Sequence, residues 1–128
     1  MQKRYELTAE SKTVAGVTVF RIRRLSDSLL GGFIESEKNL AQHDEAWVFG
    51  EARVFGKTRV YGEACVFGEA RVSGEAWVFG EACVFGKARV SGEARVSGEA
   101  RVYGEAWVFG EARVFGKTRV YGEACVDK

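Results

Sequence analysis

The chain has no proline, only one histidine and no clear excess of either charge, and each shortage limits the classes of protein to which it can belong. Proline is absent, and the 16 glycines are mostly periodic, which distinguishes the chain from a flexible low-complexity linker. Its 19 Lys and Arg face 18 Asp and Glu, so no overall field favours nucleic acid or an acidic membrane surface. No apolar run approaches the length of a membrane span, and the opening MQKRYELTAESK has no signal-peptide core. We therefore expect a cytoplasmic protein that binds neither membrane nor nucleic acid.

Cysteine is also scarce. The three cysteines, Cys65, Cys83 and Cys125, are odd in number and have no zinc-type spacing. This usage is typical of a reducing compartment and not of a disulfide framework. We expect no metal and no other cofactor, and we expect the cysteines to pack as small thiols. The alternative is a redox role for Cys65 and Cys83, which are 18 residues apart and should lie within the Cα separation that a disulfide can span.

The main feature of the sequence is a six-residue period. From Ala46 the sequence runs through thirteen hexads with no insertion, AWVFGE, ARVFGK, TRVYGE and so on, before a partial ACVDK. Position one is Ala or Thr, position three is always Val and position five is always Gly. In a strand, positions one and three point to one side and positions two and four to the other. Glycine then allows a corner with positive φ, and the Glu or Lys after it is expected to be exposed.

Such a unit cannot bury its apolar side alone, so it must stack on copies of itself as a solenoid. Three hexads per turn give an all-β triangular prism with 18-residue coils and with Ala and Val along the axis. The competing structure is an open cross-β stack of the same strands. The regular glycine corners and the frequent charges favour the closed coil.

The repeated Val with a small residue two positions before it resembles the hexapeptide repeat of left-handed parallel β-helices. The stretches YELT, GVTVFRIRRL and LGGFIESEKNL are similar to a group of uncharacterised bacterial and phage hexapeptide-repeat proteins that carry a transferase label. The resemblance implies a left-handed parallel β-helix with an N-terminal β-strand cap. The chain departs from that group in one connection. Members of the group are expected to have a longer, acidic and glycine-containing connection before the LGG element, whereas this chain has only SDSLL there.

Residues 1–45 lack the period and are predicted to form the cap, with residues 46–128 as the β-helix. Residues 5–8 and 17–23 read as a pair of strands. Ile34 and Leu40 are six apart, as in a degenerate hexad, but two extra residues intrude near His43 before the regular repeat begins. The first coil should therefore be irregular, and the cap should protect its strand edge.

Residues three hexads apart should stack, which places an aromatic ring on every coil of one face. That column contains Phe49, Phe67, Phe85, Tyr103 and Tyr121, with Trp47, Cys65 and Cys83 beside it. The rings could serve only to stabilise neighbouring strands by stacking. A stripe of exposed apolar surface is also typical of an interface, and we predict that these eight residues mediate self-association as a homo-oligomer. The sequence does not identify a small-molecule ligand.

The alternative function is a hexapeptide-repeat acyltransferase that uses acyl-CoA. The resemblance implies a histidine as general base and a loop that closes the site. The chain offers His43 as the one weak catalytic candidate, and the hexads between Ala46 and Val126 contain no loop. The sequence favours a structural or interaction module without catalysis.

An internal copy supports that choice. The segment EAWVFGEARVFGKTRVYGEACV occurs at 45–66 and again, unaltered, at 105–126. The copy is shifted by ten hexads, which is three coils plus one hexad, so it should lie one face around, with Trp47 on one face and Trp107 on the next. Because such a shift would misplace a fixed constellation of side chains, it favours a scaffold, a spacer or an assembly module whose geometry matters more than single residues. The alternative is a recent duplication that selection has not yet filtered.

Overall fold

The chain folds as a solenoid of very short strands, as the hexad period predicts. A computed structural model describes residues 4–14, 16–41 and 45–127. It begins with β1 (Tyr5–Val14), β2 (Val17–Arg24), β3 (Leu30–Ile34) and a 3-10 turn at Glu37–Asn39. Fourteen strands follow, one for each hexad and one for the final partial repeat. They are β4 (Trp47–Val48), β5 (Arg53–Val54), β6 (Arg59–Val60), β7 (Cys65–Val66), β8 (Arg71–Val72), β9 (Trp77–Val78), β10 (Cys83–Val84), β11 (Arg89–Val90), β12 (Arg95–Val96), β13 (Arg101–Val102), β14 (Trp107–Phe109), β15 (Arg113–Val114), β16 (Arg119–Val120) and β17 (Cys125–Asp127).

Every third strand joins the same parallel sheet. The first face contains β4, β7, β10, β13 and β16, the second contains β5, β8, β11, β14 and β17, and the third contains β6, β9, β12 and β15. The register is three hexads, as shown by the pairing of Cys83 with Cys65 and of Arg89 with Arg71. The predicted β-solenoid with three hexads in each coil is confirmed. Its left hand stays a prediction.

The core is a column of alanine and valine along the axis. The inward alanines and valines from Ala46 to Val108 are buried, most of them completely. Fully burying one valine stabilises a fold by roughly 1.5–3 kcal/mol, so the column is the main apolar contribution to this narrow prism. The predicted inward placement of positions one and three is confirmed.

Glycine forms each corner, with φ between +60° and +77° from Gly50 to Gly122. The corners also stack on one another. The N–H of Glu69, for example, donates to the carbonyl oxygen of Gly86 at 2.8 Å. A Cβ added at any corner glycine from Gly56 to Gly104 would lie only 2.8–3.0 Å from the backbone of the glycine one coil further on. These positions therefore need glycine both for φ and for space.

The N-terminal strands extend the second-face sheet. β1 and β2 pair antiparallel, β2 and β3 pair antiparallel, and β3 pairs parallel with β5. The predicted strand pair is present, and β1 continues further than predicted, to Val14. The division of the chain at residue 45 stays a prediction.

The first coil is irregular in the predicted way. Ile34 pairs with Val54 and Leu40 bridges to Val60, so each of these pairs spans two more positions than the three hexads of a regular coil. The N–H of Glu45 donates to the carbonyl oxygen of Gly62, with the same separation in sequence as the bond from Glu51 to Gly68 in a regular coil. The two extra residues therefore lie in the sequence between Ala41 and Glu45. His43 falls in this interval and lies outside the described residues.

Asn39 completes the corner of this irregular coil, a role that the sequence analysis missed. Its Nδ2 donates to the carbonyl oxygens of Gly56 at 3.1 Å and Thr58 at 3.0 Å. Its Oδ1 accepts from the N–H groups of Glu35 and Ser36, both at 3.0 Å. The buried amide is thus satisfied from both sides, as a buried polar group requires.

Candidate functional site

Five aromatic rings form a ladder on the first face, one ring for each coil. Position four follows each short strand, and the parallel register sets residues of successive coils side by side. The rings of Phe67 and Phe85 are parallel with centroids 4.7 Å apart, and those of Phe85 and Tyr103 are 4.9 Å apart. Tyr103 and Tyr121 stack at 5.5 Å, and Phe49 meets Phe67 edge to face at 6.2 Å. The predicted ladder is present without a gap.

Stacking covers only part of these rings. Phe67, Phe85 and Tyr103 are half-buried, because each ring is covered by a neighbour on both sides. The end rings are more open, with Phe49 37% and Tyr121 59% exposed. The five rungs leave an apolar stripe about 20 Å long on the surface. Both explanations offered for the rings thus have a structural basis: they stack, and they keep an exposed edge.

Trp47 does not widen this stripe, and its predicted place in an exposed interface is wrong. It is 2% exposed. Tyr5 meets its ring edge to face at 6.0 Å, and the guanidinium groups of Arg4 and Arg24 lie 5.4 Å and 5.6 Å from its centre. The N-terminal strands supply this cover, which arithmetic on the hexads could not reveal.

The cysteines occupy the predicted rungs. Cys65 and Cys83 are paired neighbours in the sheet, half-buried, with free thiols, and Cys125 is free and exposed on the second face. Burial, followed by the nearby Cys83, raises the pKa of the Cys65 thiol. The centre of the first face therefore carries neutral side chains in position two as well as in position four.

The other two faces have interrupted aromatic columns. On the second face, Phe55 is buried against the N-terminal strands, in a cluster with Val14, Val19 and Phe33. On the third face, Tyr61 and Phe79 stack at 5.0 Å, and the next position-four residue is a serine. Within residues 45–127, only the first face has an aromatic ring on every coil.

Possible metal ligands and surface clefts bear on the acyltransferase alternative. They contain no group of three or more His, Cys, Asp or Glu side chains that could hold a metal. A cleft of about 470 Å³ opens beside Leu40, Arg59, Tyr61 and Trp77. Burial raises the pKa of the Tyr61 hydroxyl, and the charges of Arg95 and Arg59 oppose this effect. The acyltransferase alternative depends on His43, outside the described residues, and stays a prediction.

Comparison with known proteins supports the architecture and no particular activity. The family model described as "YdcK Beta solenoid repeat" matches residues 88–104, which is nearly one coil. No curated protein matches the chain. Among the described residues, no helix has the length and apolar character needed to cross a membrane. The chain is thus similar to a β-solenoid repeat, and its function has to be argued from its surfaces.

Proposed function

We propose that the protein is a β-solenoid scaffold whose first face binds a second copy of the same chain. The observation that supports this proposal is the uninterrupted ladder from Phe49 to Tyr121, whose rings stack on one another and still expose their outer edges. Exposed apolar stripes of this kind are more typical of interfaces than of free surface.

The spacing of the ladder favours a second copy as the partner. Rings repeated at the strand spacing of about 4.8 Å form ridges and grooves with that same period. A second ladder has the same period over its stacked rungs, so the exposed ring edges of the two copies can meet rung by rung. A protein of another fold would match only one or two rings. A closed two-fold pair also follows from a single self-complementary face.

The charges around the ladder fit an antiparallel pair. Position two is occupied by Trp47, Cys65 and Cys83 on the first three rungs and by Arg101 and Arg119 on the last two. In a two-fold pair centred on Phe85, the arginines of the two copies lie at opposite ends. The like charges are then separated, and the central rung carries the neutral Cys83, so no charge has to be desolvated on the two-fold axis itself.

Light scattering across a concentration series in reducing buffer tests the proposal. We expect a defined dimer for the natural chain and a monomer for the double variant Phe67→Ser with Phe85→Ser. The matched control is Phe79→Ser with Phe115→Ser, which removes two position-four rings from the third face. A natural chain that is monomeric throughout the series, or equal masses for the two double variants, would sink the proposal.

The proposal also includes narrower expectations from the sequence. These are a left-handed coil of the hexapeptide-repeat type, a cytoplasmic location and no catalysis. The resemblance to the hexapeptide repeat supports the first, the odd number of cysteines supports the second, and the unbroken hexads support the third. An acetyl-CoA hydrolysis or transfer assay with His43→Asn tests the last point, and acetyl transfer that is lost in this variant would overturn it.

A further inference from the structure

A column of three arginines runs along the second face. The in-register pairing of β5, β8 and β11 sets Arg53, Arg71 and Arg89 side by side. At about 4.8 Å per strand, their three side chains cover roughly 10 Å of the surface. They line one side of a groove of about 340 Å³, together with Glu51, Glu69 and Lys87 at the preceding corners.

The carboxylates of the groove do not neutralise this column. Glu51 is engaged by Lys12 and Arg21 of the N-terminal strands, with Arg21 Nη2 at 3.4 Å. Within the part of the chain that the structure describes, no carboxylate forms an ion pair with the three arginine side chains. With Lys87 the groove has four cationic groups, and Glu69 is its one carboxylate outside an ion pair.

Two further observations describe the environment of these arginines. The Nε of Arg53 is buried and makes no hydrogen bond. Burial, followed by the charges of Arg53 and Arg89, holds the pKa of Arg71 below its usual value. An anion in the groove would relieve the mutual repulsion of the three guanidinium groups.

An aromatic plane ends the column. Trp107 is paired with Arg89 in the next strand and is 42% exposed. Its Nε1 donates to Ser91 Oγ at 3.2 Å, and the guanidinium of Arg89 lies 5.8 Å from the ring centre. These contacts fix the indole in place and leave part of its surface open. The surface therefore has one exposed indole ring followed by a row of three guanidinium groups.

We propose that this groove binds a nucleoside di- or triphosphate, with the base on Trp107 and the phosphates on Arg89, Arg71 and Arg53. Guanidinium groups form paired hydrogen bonds with phosphate oxygens, and bases stack on exposed aromatic rings. The three strand steps from Trp107 to Arg53 cover about 14 Å, which suits one extended nucleotide.

The third face supplies a matched comparison. It also carries arginines in position two, but Trp77 lies between Arg59 and Arg95, so no three arginines are adjacent in that column. Its cationic column is therefore interrupted, although the residue types are the same. We expect no phosphate binding on that face.

Isothermal titration calorimetry of the whole chain at low salt, with ATP and with inorganic tripolyphosphate as probes, tests the proposal. Arg71→Gln should weaken the binding of both probes at least tenfold. Trp107→Ala should weaken ATP at least fivefold and leave tripolyphosphate unchanged. Arg95→Gln, on the third face, should change neither, and the Phe67→Ser with Phe85→Ser variant should still bind ATP. Circular dichroism verifies that each variant is folded.

Three results would overturn the proposal. The first is no binding of either probe at low salt. The second is an equal loss of affinity in Arg71→Gln and Arg95→Gln, which would indicate nonspecific attraction to arginine. The third is binding of a short oligothymidylate at least tenfold tighter than ATP, which would indicate a single-stranded nucleic-acid surface instead.

Discussion

Replacement of Gly74 by alanine should be far more damaging than the same change at Gly122. Both residues have positive φ, +73° at Gly74 and +66° at Gly122. A Cβ at Gly74 would lie 2.8 Å from the backbone nitrogen of Gly92, and a Cβ at Gly122 would meet nothing within 4 Å. The pair therefore separates the cost of the conformation from the cost of the missing space.

The magnitudes follow from these two terms. The left-handed conformation costs alanine about 1–2 kcal/mol, and the stiffer unfolded chain returns roughly 0.4–1 kcal/mol. Gly122→Ala should thus lower the free energy of unfolding by about 1 kcal/mol. Gly74→Ala adds overpacking of about 1–3 kcal/mol, because the obstacle is backbone. That backbone cannot move freely, since Gly92 accepts a hydrogen bond from the N–H of Glu75 at 2.7 Å.

Urea denaturation followed by circular dichroism measures both variants, with Gly16→Ala as a second reference. Gly16 has φ +80° and open space around it, and it lies in the N-terminal strand pair, away from the last coil. Because solenoids can unfold in parts, hydrogen exchange at the amide of Glu75 should accompany the denaturation curves. Losses in Gly74→Ala and Gly122→Ala that agree within about 0.5 kcal/mol would refute the steric argument.

Two further predictions use pairs of equivalent residues. Trp47→Ala should lower the free energy of unfolding by about 3–5 kcal/mol, because the indole is buried. Trp107→Ala should lower it by less than about 1 kcal/mol, because that indole is exposed. Similar denaturation midpoints for the two variants would contradict this prediction. Iodoacetamide at mildly alkaline pH should alkylate Cys125 before Cys65, because Cys125 is exposed and the raised pKa of Cys65 reduces the fraction of its thiol that is ionised. Peptide mass spectrometry over time measures the order of labelling. Faster labelling of Cys65 would show that this reasoning fails.

The repeat made most of the architecture predictable. Position-specific residues determined which side chains face inward, where the chain turns and which residues stack, and the pairing of Cys83 with Cys65 agrees with that arithmetic. In a parallel solenoid each hexad occupies an equivalent environment, so all thirteen hexads carry the same information about the structure. The insertion before Glu45 was visible for the same reason, as a break in the period between Leu40 and Val48.

The surface was less predictable, because it depends on residues that do not repeat. Trp47 and Phe55 occupy outward positions in their hexads, yet the N-terminal strands bury both. The engagement of Glu51 by Lys12 and Arg21 likewise comes from those strands, and it leaves the nearby arginine column without that carboxylate. The register of Arg53, Arg71 and Arg89 was visible in the sequence, but the lack of ion pairs to them was not.

The internal copy shows how far interior and surface are independent in this fold. Val48 and Val108 hold equivalent places in the two copies and are both fully buried. Trp47 and Trp107 are equivalent too, yet one is 2% and the other 42% exposed. A shift by one hexad beyond three coils keeps every inward residue in an inward place, so it leaves the core intact. The same shift gives each outward residue new neighbours: Trp47 packs beneath Tyr5, and Trp107 lies beside Arg89 at the end of the arginine column. Duplication by whole hexads therefore creates new surfaces without a cost to the core, which is how one repeat can carry an aromatic ladder on one face and a cationic groove on the next.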